Sequence, residues 1–206
     1  DHRDLHTAYR RQRQMCIRDR LDILLGDALG ASYIANLTCS AAMRSKDGRG
    51  YPSILTRLVP KRLGLKEIED VMELEYEDNE YSFNVSKVVG SLFEAASMGD
   101  GVALEITWKL AKEVLIIVEK FYDSLFQKEE HFKLVLEGSV FKAQYQPFMK
   151  MLCLSLKQRY EVEIIIPQYD PVVGALFYAF EKSGIELNDK LVKRIINTYM
   201  ERREKV

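Results

Sequence analysis

At 206 residues, with 47% hydrophobic and 30% charged side chains, the chain has the length and balance to bury one substantial core or two small ones. A formal net charge of −1 supplies no general attraction to nucleic acid or to an anionic membrane surface, so neither partner is expected. Three cysteines without pair spacing, Cys16, Cys39 and Cys153, argue against a disulfide or zinc framework; with no long apolar run or signal-peptide core, they point to a cytoplasmic setting.

Charge is distributed unevenly. Residues 1–20 hold six arginines against three acidic residues and show no helical or strand period, and from Leu21 onward the balance falls to −4. The run Arg13 to Arg20 resembles a peptide translated from sequencing-adapter DNA. Residues 1–20 are therefore expected to be a non-native or disordered tail. On this reading residues 21–206 form the carboxyl-terminal domain of a longer protein.

Patterning becomes regular from Leu21, and Gly26-Asp27-Ala28-Leu29-Gly30-Ala31 leads into the first helix. Tyr33, Ile34, Leu37, Ala41 and Met43 give an apolar stripe over a helix from Ser32 to Arg44, and Asp47-Gly48-Arg49-Gly50-Tyr51-Pro52 terminates it. A second helix over Ile54 to Leu63 is closed by Gly64, and a third runs from Lys66 to about Tyr76, with the acidic residues of 73–80 reading as a solvated loop or frayed end. Asn84 to Met98 is a fourth helix. Gly99 suits its C′ position, and Asp100 the N-cap of the fifth. That fifth helix, Val102 to Phe126, repeats Ile106, Leu110, Val114, Ile117, Phe121 and Leu125 and reads as central, with Trp108 in core or interface.

Phe132-Lys133-Leu134-Val135-Leu136 reads as a strand of a mostly parallel sheet covered on both faces. Gly138 and Ser139 then bring the backbone to the surface with little side chain in the way, and a helix is expected from Phe141 to Arg159. In open α/β sheets, ligands sit in the crevice beyond the carboxyl ends of strands, so this turn is where a nucleotide is expected. Val162 to Ile166 is a second, β-branched strand. Asp170-Pro171 opens a helix as N-cap and first residue, ending near Gly184, and its small pair Gly174-Ala175 suggests close approach to another backbone. Asn188 or Asp189 caps a final amphipathic helix through Ile195, Ile196 and Tyr199.

Four of these segments, taken in order, resemble the carboxyl-terminal half of the BadF/BadG/BcrA/BcrD ATPase family, which includes N-acetylglucosamine kinase. They are Leu25-Gly26-Asp27 with its following helix, Asp47-Gly48-Arg49-Gly50, Glu94 through Gly99-Asp100, and Gly138-Ser139-Val140-Phe141-Lys142 followed by Pro171-Val172-Val173-Gly174-Ala175. The resemblance implies an α/β fold: a helix-rich, ribonuclease-H-like domain of the actin-like ATPase, sugar kinase and Hsp70 type with a small, partly parallel sheet. It implies ATP with Mg²⁺, bound through Gly138, Ser139 and Val140. Asp27 would accept hydrogen bonds from sugar hydroxyls, although it would serve equally as an N-cap ahead of Ala28. The family's Gly-Asp-Glu-Gly-Ser becomes Gly-Asp-Ala-Leu-Gly here, which alters the polar groups beside the sugar.

The implied reaction is transfer of the ATP γ-phosphoryl to an amino-sugar hydroxyl, by a protein that binds nucleotide and sugar and is compatible with a homodimer. The family's phosphate loops and its catalytic aspartate find no counterpart in residues 1–25, so no catalytic residue is assigned and the chain by itself is expected not to turn over. Two other functions fit the same pattern. One is an ATPase that activates a radical dehydratase or reductase, which needs cysteines placed to hold an iron–sulfur cluster, whereas Cys39 and Cys153 are isolated in predicted helices. The other is a non-enzymatic helical interaction or regulatory module.

Overall fold

A computed structural model describes residues 29–76, 84–126, 131–143 and 145–203. The chain divides into two compact units, one drawn from residues 1–132 and 143–163, the other from 133–142 and 164–206.

In the first unit, α1 (Ala31–Lys46), α2 (Leu55–Leu63), a 3₁₀ turn (Ile68–Asp70), α3 (Val71–Tyr76), α4 (Val85–Ser97), α5 (Gly101–Leu125) and α7 (Phe148–Arg159) build a helical core. Its hub is α4, which packs on α1, α2 and α5. The cause is visible in its sequence. Gly90, Ser91, Ala95 and Ala96 are small enough to admit neighbours while Val88, Val89, Leu92 and Phe93 fill the space between them, and all eight are buried. At Gly90 a Cβ would stand 2.6 Å from the Arg62 Nη1, so the Arg62 guanidinium lies over bare backbone there. Phe93 stacks on Tyr145 at 4.3 Å between ring centres and tilts against Phe148 at 5.4 Å.

The fifth helix packs on neighbouring helices as expected, against α4 and α7, but its buried face differs in part from the expected one. Helix α5 buries Ala103, Ile106, Thr107, Leu110, Ala111, Val114 and Val118, whereas Ile117, Phe121 and Leu125 are 42%, 42% and 69% exposed. Val114 is followed at helical spacing both by Ile117, three residues on, and by Val118, four residues on; spacing alone does not choose between them, and Val118 is the one buried. Trp108 is 53% exposed with Lys112 Nζ 5.6 Å from its ring, on the outer face rather than in the core. In α1 the buried set is Ile34, Ala35, Thr38 and Ala42, one position round from the expected stripe. Three buried polar side chains satisfy themselves locally: Thr38, Ser91 and Thr107 each donate to a carbonyl three or four residues earlier.

Junctions follow the expected chemistry closely. Gly64 and Gly99 close their helices at φ 80° and 85°. Asn84 Oδ1 accepts from the Lys87 N–H, and Asp100 Oδ1 from the Ala103 N–H at 2.9 Å. Asp100 does more than cap α5. Its Oδ1 also accepts from the Ser53 hydroxyl at 3.0 Å, and its Oδ2 from the Ile54 N–H at 2.8 Å, fixing the start of α2 to the start of α5.

Strands β1 (Phe132–Val135) and β2 (Val162–Ile165) pair as a two-stranded sheet. The Phe132 N–H donates to the Glu161 carbonyl at 3.2 Å and the Leu136 N–H to that of Ile165 at 2.9 Å. Both bonds share one sequence offset, so the strands run parallel. Coverage on both faces does not hold: Phe132 and Leu136 are buried, while Lys133 is exposed and Val135 is 55% exposed, the alternation of a strand covered on one face.

The single helix expected over Phe141 to Arg159 is two. α6 (Ser139–Lys142) is one turn, and α7 begins only after Pro147. Proline pushes the residue before it out of the helical region, which breaks the run. In the second unit, α8 (Pro171–Lys182) and α9 (Asp189–Arg203) complete the fold. Gly174 has nothing within 4 Å of where a Cβ would stand, so the expected close approach at Gly174-Ala175 is absent among the described residues. Also among the described residues, no helix is long and apolar enough to cross a membrane.

Candidate functional site

The second unit carries the turn that the sequence singles out. β1 ends at Val135, Leu136 is buried, and Gly138 turns the chain at φ 119°, a backbone conformation that side chains bearing a Cβ rarely adopt. Its carbonyl then accepts the N–H groups of Phe141 at 3.1 Å and Lys142 at 3.0 Å, which winds α6 into its single turn. A Cβ on Gly138 would meet only Phe141 Cδ2 at 4.0 Å, so the space in front of the glycine is open. Ser139 is exposed and Gly138 half-buried, whereas the Val140 side chain is buried and anchors the turn from beneath. At these three positions the surface available to a ligand is thus mainly main chain. Asp27, Cys16 and the whole of residues 1–20 lie outside the described residues.

Lys142 holds this turn in place. Its Nζ donates to Asp170 Oδ1 at 2.7 Å and to the Tyr169 carbonyl at 3.3 Å, and forms an ion pair with Glu137 Oε1 at 2.8 Å. Three acceptors match the three N–H donors of an ammonium group. Asp170 occupies the N-cap position of α8, as its sequence context with Pro171 indicates, but its side chain makes no cap bond. It is committed instead to Lys142 and, through Oδ2, to the Tyr199 hydroxyl of α9. The Tyr199 ring also stands edge-on to Tyr169, 6.3 Å between centres. A relay of side chains thus runs from α9 through the start of α8 to the residues on either side of Gly138.

Sequence reasoning found Gly138 and its neighbours but missed Lys142, Glu137 and Tyr199 as a group. Lys142 and Asp170 are 28 residues apart and Asp170 and Tyr199 29 apart, so no local pattern links them. The one available signal was an acid before a helix-opening proline, and it was read as a cap.

Hydrogen bonds from Lys142 to Asp170 first, and then to Glu137, hold its ammonium above the ordinary lysine value of 10.5. Because the folded value is raised, the link contributes its full stability below the unfolded value and loses it as pH rises through the folded one. Lys142→Met should therefore lack a component of the alkaline loss of stability above about pH 10.5 that the unsubstituted chain shows. Paired urea titrations from pH 8 to 11.5 measure it; parallel curves over that range would refute the role.

The cluster sums to one negative charge, since Glu137 and Asp170 outnumber Lys142. A turn made of open backbone beside a net negative cluster suits a neutral, flat or hydroxylated group better than a phosphate. Nor do the described residues fit a metal held by protein alone, because they contain no group of three or more His, Cys, Asp or Glu side chains placed for one.

A parallel strand leads to a glycine turn, and the helix after β2 is tied back to that turn through Asp170 and Lys142, an arrangement common among α/β proteins. The family model for the BadF/BadG/BcrA/BcrD ATPases matches residues 9–179, and the chain belongs to that family. The match takes in the Gly138 turn, Lys142 and Asp170 and stops inside α8, before α9 and Tyr199. No curated protein matches the chain. Membership brings ATP use, typically with Mg²⁺.

Proposed function

We propose that this chain is the adenosine-binding side of an amino-sugar kinase of the N-acetylglucosamine kinase type, with a ribonuclease-H-like topology. Gly138, Ser139 and Val140 seat the adenosine through their main chain. The observation that carries this is the open backbone at Gly138, held at φ 119° beside a cluster of net negative charge. That charge repels a triphosphate, so the nucleotide is oriented with its neutral end on the turn and its phosphates directed away. When bound, ATP supplies the phosphoryl group. The residues of this chain bind and orient; the Mg²⁺ that usually accompanies ATP rides on the phosphates, and Asp27 receives the sugar hydroxyls.

Calorimetric titration with ATP, adenosine and tripolyphosphate tests the reading directly. Adenosine should bind the 206-residue chain within a few-fold of ATP, and tripolyphosphate should not compete. Loss of binding when the phosphates are removed would sink it. The chain itself should bind without turnover, and any ADP release that appears should depend on N-acetylglucosamine. Sugar-independent hydrolysis would favour the activator type of ATPase.

A further inference from the structure

Beside Tyr199, helices α8 and α9 leave a groove of about 520 Å³ between them. Its walls are apolar: Val172, Val173, Leu176 and Phe180 from α8, Leu191 and Ile195 from α9. Val173 is buried at 3% exposure, while Val172 and Leu176 are 63% and 42% exposed. Polar groups stand on the α9 side only. Arg194 and Arg202 line the groove, no acidic residue does, and neither arginine has an ion pair or side-chain hydrogen bond among the described residues. Eight residues of helix separate them by about 12 Å along one face.

We propose that this groove binds a small amphipathic anion, an aliphatic chain ending in a carboxylate, with the chain against α8 and the carboxylate on Arg194 or Arg202. Two features select that class. The lining carries cations and no anions in a chain whose overall charge is −1, so an anionic head is matched and a cationic one rejected. The volume falls among small-molecule sites, which are apolar clefts with a few placed polar groups. The Arg guanidinium offers a fork of donors that matches a carboxylate in two bonds. Tyr199, which lines the groove, also belongs to the relay behind the Gly138 turn, but Arg194 and Arg202 take no part in it, and α9 lies beyond the family match.

Decanoate is the probe. Titrated calorimetrically against the 206-residue chain below its micelle concentration, it should bind saturably at one site, whereas decylammonium and decanol should bind at least tenfold more weakly. Arg194→Gln and Arg202→Gln are exposed changes that leave the fold intact by circular dichroism. The double variant should lose about tenfold or more of decanoate affinity, as removal of a charge-assisted bond predicts. Leu176→Ser should weaken decanoate and decanol alike. Binding indifferent to the head group, no effect of the arginine changes, or a dimer by sedimentation that decanoate fails to dissociate would each overturn the proposal.

Discussion

Asp100→Ala should lower the stability of the helical unit by about 3 kcal/mol. The residue accepts three hydrogen bonds, from the Ala103 N–H, the Ser53 hydroxyl and the Ile54 N–H, between 2.8 and 3.0 Å. Loss of an N-cap alone costs about 1 kcal/mol. Each further bond to an ionised group contributes about 1.5–3 kcal/mol, discounted here because the site is only partly buried. Asp100→Asn separates the parts, since its amide oxygen can keep the two bonds made by Oδ1 while its NH₂ faces the Ile54 N–H. It should cost about half as much. Urea unfolding followed by circular dichroism reads both; a cost near 1 kcal/mol for alanine would mean that the junction with α2 contributes nothing.

Asp100 also shows what could be read in the sequence and what could not. Its cap role was legible because capping is local: an acid after a C′ glycine, three residues before the N–H it accepts. The two bonds to Ser53 and Ile54 cross 47 and 46 residues and were invisible. The same division runs through the molecule. Element existence was clear where Gly or Asx punctuated an apolar period, as at Gly64, Asn84, Gly99 and Asn188, but the break at Pro147 was missed. Which face of an element is buried depends on its neighbours. That is why Ile117 was chosen over Val118, and why α4 was not recognised as the hub although its small residues invite contact from several sides. At the site, the sequence located the Gly138 turn, and resemblance supplied its use. The Glu137–Lys142–Asp170–Tyr199 relay arises from tertiary pairing alone.

Gly138→Ala should weaken adenosine and ATP binding by roughly 5- to 150-fold. The argument isolates backbone from bulk. A Cβ at this position meets nothing nearer than 4.0 Å, so alanine fits the space; what it cannot accept is φ 119°. Holding a non-glycine residue in such a region costs of order 1–3 kcal/mol, and 1.4 kcal/mol is tenfold in an equilibrium constant. Lys142 resists relaxation of the turn because it grips Glu137 on one side and Asp170 on the other. The strain is then paid either by the turn abandoning its binding shape or by the second unit losing stability, and nucleotide affinity falls in the first case while thermal stability falls in the second. Gly174→Ala is the control, because that glycine lies in a helix with open space around it and no positive φ. It should stabilise α8 slightly, by up to about 1 kcal/mol, and leave nucleotide affinity unchanged. If Gly138→Ala left both affinity and melting temperature where they were, the turn would not be held at φ 119° when it works, and the open backbone would lose its claim to be the nucleotide's seat.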